Sequence, residues 1–454
     1  MSAITQRPDS SSSATLPLLA DAAARRVVAW RHGAPVRVDA FLADVMSTAA
    51  RLPAAPAVVN LCVDRYAFLV AFCAALVAGQ TNLLPPSRAE QAVRDVMAAH
   101  PGCYALGDQA DVGGIAPYLA LPSLTGTTAT TTAVPTIAAD HVAAIGYTSG
   151  STGKPVANAK TWGSFAASSA GNLGMLRAHL DEPFHVLATV PPQHMYGMEL
   201  SVLLPLFGHA GVHAGRPLLP ADVARELAEL PAPRVLATTP VHLRALVKSG
   251  QAMPPLAALV SATAPLPREL ARAAEDAFGA PMLEMFGSTE TCVFASRRTA
   301  REDVWATYPG VHVEPHARGT TVMAPQLAAP VELADIFEPA PGGFYLRGRG
   351  RDMLDMAGKR ASLADLNQRL LAIDGVVDGV IFQPDAVDAL GVQRLAALVV
   401  APDLDAAAIR AALARVVDPV FLPRPLHKVN ALPRNATGKL PRQALQDLLQ
   451  RGAG

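Results

Sequence analysis

From about residue 55 to residue 290 the chain alternates two kinds of segment, and this alternation limits the fold more than any other feature. Short runs rich in aliphatic and β-branched residues occur at 57–63 (AVVNLCV), 142–148 (VAAIGYT), 184–190 (FHVLATV), 234–240 (RVLATTP) and 256–263 (LAALVSAT). Between them lie longer stretches with helical spacing, at 87–100 (SRAEQAVRDVMAAH), 221–230 (ADVARELAEL) and 267–279 (PRELARAAEDAFG). Strand and helix in regular alternation predict mostly parallel sheets covered by helices, an α/β fold. Ligands of such folds sit in the loops after the carboxyl ends of the strands, so chemistry is sought there.

At 454 residues the chain exceeds one ordinary core. A second organisational break falls at GRGRD, 348–352, and beyond it come a short α/β pattern and a closing helix, PRQALQDLLQ. The reading is a polar, disordered tail over 1–15, a large N-terminal domain over 16–348 and a small α+β C-terminal domain over 349–454. The Thr-rich stretch 124–136 (LTGTTATTTAVPT) reads as an exposed connector. Hydrophobic residues make up 51% of the chain, enough for a well-buried protein. Lysine plus arginine and aspartate plus glutamate both number 38, a balance that argues against a nucleic-acid surface. The four cysteines lack metal-ligand or disulfide-framework spacing, which fits a reducing cytoplasm. The most apolar stretch, 66–79, falls short of the roughly twenty residues of a membrane span and reads as a buried helix.

The sharpest local motif is YTSGSTGKP at 147–155, which follows a strand and precedes a helical stretch beginning near Trp162. Glycines let backbone N–H groups turn toward a ligand and hydroxyls add donors, together forming a phosphate cradle. The P-loop NTPase pattern fails here twice: position 148 is Thr where that motif needs Gly, and Pro155 follows the lysine where it needs Ser or Thr.

This motif resembles the phosphate-binding signature of the adenylate-forming superfamily, which includes acyl-CoA synthetases, aryl-acid ligases, peptide-synthetase adenylation domains and luciferases. Four more motifs follow in the family's order. FGSTE at 286–290 is similar to YGxTE, and LADIF at 333–337 to the TGD segment. GRGRDMLDMAGKR at 348–360 is similar to the hinge segment, and LPRNATGKLPR at 432–442 to the C-terminal PxxxxGKxxR. The resemblance implies that Thr148, Ser149, Gly150, Ser151, Thr152, Gly153 and Lys154 hold the phosphates of ATP, with Phe286, Gly287 and Ser288 also at the nucleotide. It implies phosphate binding by Thr289 and Mg²⁺ binding by Glu290, since a hard cation prefers carboxylate and phosphate oxygens. Asp335 is expected at the ribose hydroxyls with Arg349 nearby. Lys439 is the expected catalytic cation, meeting both the attacking carboxylate and the α-phosphate. Arg351 is the expected hinge, and Gly358 marks the segment expected to replace Lys439 for the thiol step.

Departures from the family pattern are specific. Val156 stands where a lysine usually follows the loop's proline, with Lys154 or Lys160 as candidate substitutes. Phe286 replaces the usual tyrosine, and Asp355 stands at a usual lysine. Asp365 and Asn367 lie near a usual Glu-Ile-Glu, and the stretch from Glu290 to Arg349 is short.

The acid pocket is expected at His194, Met195, Tyr196, Ala262, Ala264 and Gly287, with His194 gating acid or thiol. Peptide-synthetase domains place an aspartate in this region to pair an α-ammonium; here no carboxylate follows His194 until Glu199. An unpaired buried ammonium is costly, so an α-amino acid is disfavoured. His-Met-Tyr resembles the triplets of aryl-acid ligases, and GQTNLLPP at 79–86 resembles the compact stand-alone AMP-ligases of aryl-polyene and xanthomonadin pigment clusters. These similarities imply activation of an aryl acid such as a hydroxybenzoate, with transfer to an acyl carrier protein or coenzyme A. A fatty or β-hydroxyacyl ligase and a catalytically silent homologue remain the alternatives.

Overall fold

The structure is a computed structural model that describes residues 14–110, 112–122, 124, 133–149, 155–316, 319–349, 353–356, 359–384, 394–435 and 438–451. The chain divides into two compact units: residues 1–217, 225–234 and 288–292 form the first, and residues 218–224, 235–287 and 293–454 the second.

The first unit holds a six-stranded sheet in the order Pro155–Thr161, Val142–Ser149, Thr81–Leu84, Ala57–Asn60, Tyr104–Gly107, Tyr118–Ala120. All neighbours are parallel except Pro155–Thr161, which pairs antiparallel with Val142–Ser149. Further strands of this unit are Phe184–Ala188 and Ala210–His213, parallel to Val27–Arg31, which forms a hairpin with Ala34–Arg37. Apolar runs such as Ala57–Asn60 and Tyr104–Gly107 are buried on both faces, as parallel strands require. The segment read as a buried helix is one, Arg65–Val77; Asp64 caps it, its Oδ1 accepting from Ala67 N–H at 2.8 Å. Phe68, Phe72, Trp162 and Phe165 fill the same core. Among the described residues no helix is long and apolar enough to cross a membrane. Thr15, placed in the tail by sequence, is the first residue of a strand, opposite Ala138.

In the second unit, strands Arg234–Thr238, Ala258–Ser261 and Met282–Ser288 run parallel, with helices Pro240–Ser249 and Arg268–Phe278 in the crossovers. Trp305–Thr307, Gly343–Arg349 and Asp335–Ala340 add antiparallel pairings. The segment after the expected boundary at 348–349 lies inside this unit and has its own core. There Leu366 and Leu370 of helix Leu363–Leu371 pack on Ile381, Ala397, Val399 and Leu413. Asp378–Phe382, Ala396–Val400 and Leu426–Lys428 form its three-stranded sheet.

Candidate active site

The phosphate motif follows a strand, and the helix beyond it begins at Trp162 as its sequence suggests, but a second strand not read from the sequence lies between them. Val142–Ser149 and Pro155–Thr161 form a hairpin, with Tyr147 opposite Ala157, and only then does helix Trp162–Arg177 begin. The sequence pattern PVANAKT carries one β-branched residue at each end, so the second strand gave little signal. Gly150, Ser151, Thr152, Gly153 and Lys154 lie outside the described residues; Thr148 and Ser149 close the first strand.

Gly146 on that strand shows how tightly the motifs converge. A Cβ there would stand 2.8 Å from Thr289 Cγ2 and 3.5 Å from Met195 Cε, so any larger residue would have to displace the Thr289 side chain. The strand residue just before the phosphate motif, the expected phosphate-binding Thr289 and the expected acid-pocket Met195 thus share one spot. Around the turn at 288–291, Ser288 N–H donates to Thr291 Oγ1 at 3.0 Å, and Thr291 N–H donates back to Ser288 Oγ at 3.3 Å. Cys292 follows with φ 58°, a left-handed backbone that non-glycine residues adopt at a cost. Its buried thiol is pushed up to about 12 by burial and then by Glu199, which leaves it inert.

Lys160, one of the two candidate substitutes for the missing lysine, is buried, and its Nζ donates to the backbone carbonyl of Glu290. The turn carrying Glu290 is therefore tied from two sides, and its carboxylate is a hard oxygen donor suited to Mg²⁺. Among the described residues no group of three or more His, Cys, Asp or Glu side chains could cage a metal. Mg²⁺ in nucleotide enzymes needs no such cage, because one or two carboxylates and the substrate phosphates hold it.

His194 stands half-buried at the start of the short helix Met195–Met198, its carbonyl accepting from Met198 N–H at 2.7 Å. Arg65, wholly buried, fixes the segment leading to it: Nη2 donates to the carbonyls of Ala188 at 2.7 Å and Val190 at 2.8 Å, and Nη1 to Ser201 Oγ. Burial lowers this guanidinium's pKa to about 9, the strain of placing a cation among neutral acceptors. Met195 and Tyr196 are buried. The next turn is a π-helix, Glu199–Leu203, a form that recurs at functional sites. Glu199 is buried, its Oε2 accepting from Asn172 Nδ2 at 2.8 Å and from Ser168 Oγ.

In the second unit, Phe286 sits at the centre of an aromatic cluster that sequence did not reveal. Its ring meets Phe294, Trp305, Phe337 and Phe344 edge-on at 5.2–5.9 Å, and Phe337 stacks on Phe344 at 3.9 Å. The FGSTE and LADIF motifs are joined by this packing. Asp335, buried, stands opposite Arg349 in the register of their two strands. Ala262 and Ala264 flank Thr263, whose φ of 81° is a genuine outlier for a β-branched residue and marks the loop after strand Ala258–Ser261. Lys439 is exposed; its N–H donates to Asn435 Oδ1 at 2.9 Å and its carbonyl accepts from Asn435 N–H at 2.9 Å. Asn367 is structural, its side chain clasping Ile381 N–H at 2.6 Å and Ile381 carbonyl at 2.8 Å. Arg351, Gly358 and the side chains of Arg349 and Asp355 lie outside what is described.

Residues 40–323 match the model of a family described as AMP-binding enzyme. The chain belongs to the AMP-binding enzyme family. It is an AMP-forming acid–thiol ligase that uses ATP to activate a carboxylic acid as its acyl-adenylate. This AMP-binding enzyme is 27% identical over 369 residues to sulfoacetate–CoA ligase of Cupriavidus necator, covering 72% of this chain and 70% of that one. It is 28% identical over 263 residues to 3-hydroxybenzoate–CoA/4-hydroxybenzoate–CoA ligase of Thauera aromatica, covering 48% and 50%. Its fold matches o-succinylbenzoate CoA synthetase of Bacillus subtilis in complex with the acyl-adenylate intermediate OSB-AMP. That match has a TM-score of 0.81 and 16% identity, over 96% of this chain and 99% of the other.

Proposed function

We propose that this AMP-binding enzyme activates an aryl acid of the hydroxybenzoate type. The acyl group then passes to a phosphopantetheine thiol, either of coenzyme A or of an acyl carrier protein. In this reading Thr148 to Lys154 and Thr289 hold the phosphates, Asp335 and Arg349 the ribose, and Glu290 the Mg²⁺, which neutralises charge as pyrophosphate leaves. Lys439 stabilises the carboxylate and α-phosphate where charge redistributes.

The observation that carries the choice of acid is the half-buried His194 followed by the buried Met195 and Tyr196, with Glu199 one turn on. Glu199 accepts hydrogen bonds from the neutral donors of Ser168 and Asn172 on helix Trp162–Arg177. That use of the nearest carboxylate disfavours an α-amino acid, whose ammonium needs a charged partner in the pocket. The similarity to a hydroxybenzoate–CoA ligase supports the same direction.

The test is ATP–pyrophosphate exchange with a panel of acids. Hydroxybenzoates and cinnamates are expected to give exchange well above sulfoacetate and medium-chain fatty acids. Exchange confined to the aliphatic acids overturns the aryl reading.

A further inference from the structure

Helix Pro240–Ser249 begins where the parallel strand Arg234–Thr238 ends, capped by Thr239, whose Oγ1 accepts from His242 N–H at 3.4 Å. The carboxyl ends of such strands are where an α/β fold binds its ligands. Two residues of this helix, Val241 and Arg244, are three apart and so share a face.

Val241 lies against the lysine loop: a Cβ on Gly438 would come 3.6 Å from its Cγ2. Gly438 itself has φ +78°, a backbone glycine adopts without strain. Its carbonyl accepts from Arg434 Nη1 at 2.7 Å. Arg434 in turn forms a two-pronged pair with Asp378, at 2.6 and 2.8 Å, that braces the loop on strand Asp378–Phe382. One residue before Asp378, the carbonyl of Val377 accepts from Arg244 Nη1 at 3.3 Å. Arg244 is thus half-buried over the base of the lysine loop. Burial lowers its pKa, Asp378 opposes the shift and Arg434 adds to it, so the Arg434–Asp378 pair lies within its field.

We propose that Arg244 is a positioning residue that docks the C-terminal segment with the Lys439 loop at the carboxyl ends of the parallel strands. The proposal rests on the reading that Lys439 acts in adenylation. The helix makes both contacts, Val241 to Gly438 and Arg244 to Val377, in this arrangement. If the segment turns away for the thiol step, Arg244 exchanges a carbonyl and a nearby carboxylate for water. Its hydrogen bond therefore favours the lysine-presenting arrangement over any other, and a contact present in only one state shifts the population toward that state.

The experiment measures the two half-reactions separately on Arg244→Ala, using 4-hydroxybenzoate or whichever acid of the panel exchanges fastest. Pyrophosphate exchange is expected to fall about tenfold, the effect of losing one charge-assisted hydrogen bond. Transfer from the synthetic acyl-adenylate to coenzyme A is expected to stay at the parent's rate, and the thermal midpoint to move little. Arg244→Lys, which keeps the charge, is expected to recover part of the exchange. Unchanged exchange, or an equal fall in both half-reactions, overturns the proposal. Lys439→Ala is assayed in parallel: if that variant keeps parental exchange, the reading of Lys439 fails whatever Arg244→Ala does.

Discussion

Lys160 and Glu290, 130 residues apart in sequence, meet through the lysine's ammonium and the glutamate's backbone carbonyl. A buried cation on a neutral acceptor is an expensive way to fix a turn, and the turn it fixes carries the proposed Mg²⁺ ligand. Family members with a lysine after the loop's proline have a cation at a position where this chain has the exposed Val156. Lys160 lies four residues on in the same strand, facing inward.

Lys160→Met keeps the apolar stem and removes the charge. Relief from burying the charge opposes the loss of a donor to the Glu290 carbonyl, each on the order of 1–3 kcal/mol, so the thermal midpoint should stay within a few degrees of the parent's. The Mg²⁺ concentration for half-maximal pyrophosphate exchange should rise several-fold as the Glu290 turn loosens. Parental Mg²⁺ dependence in this variant would show that Lys160 serves packing alone.

A second prediction concerns acid stability. His185 accepts a hydrogen bond from Trp30 Nε1 at its Nδ1, 3.0 Å away, an arrangement open only to the neutral ring. Burial, and then the charge of Arg234, lower its pKa from the ordinary 6.5 to about 4. Because the folded value lies below the unfolded one, the unfolded chain takes up the proton first as pH falls. The stabilisation is whole above about pH 6.5 and is lost progressively toward pH 4. Urea midpoints read by tryptophan fluorescence should therefore drop between pH 7.5 and pH 5. His185→Gln, which retains an acceptor and cannot titrate, should show a smaller drop. An identical drop in both proteins rules out His185 as a source.

Much of the first unit was legible because its strands are continuous apolar runs and its motifs follow those strands. The hairpin strand Pro155–Thr161 was not, since alternating Ala, Asn and Lys carry weak strand propensity and the pairing partner supplies the stability. Phe286 was read as a tyrosine position lacking its hydroxyl. Its actual setting depends on Phe294, Trp305, Phe337 and Phe344 arriving from separate strands, which no local pattern encodes. Asp335 and Arg349 are associated in sequence by motif order and spacing, and the ladder sets the two residues opposite each other. The Arg434–Asp378 pair and Arg244 left no signal; single charged residues read as solvated until the chain is folded.

The central claim is that adenylation depends on a cation delivered by the loop at 434–439. Lys439→Ala, assayed for pyrophosphate exchange and separately for transfer from a synthetic acyl-adenylate to coenzyme A, tests it most directly. The account predicts that exchange falls at least a hundredfold, as when an electrostatic stabiliser of the transition state is removed, while transfer continues near the parental rate. Parental exchange, or equal loss of both half-reactions, would contradict it.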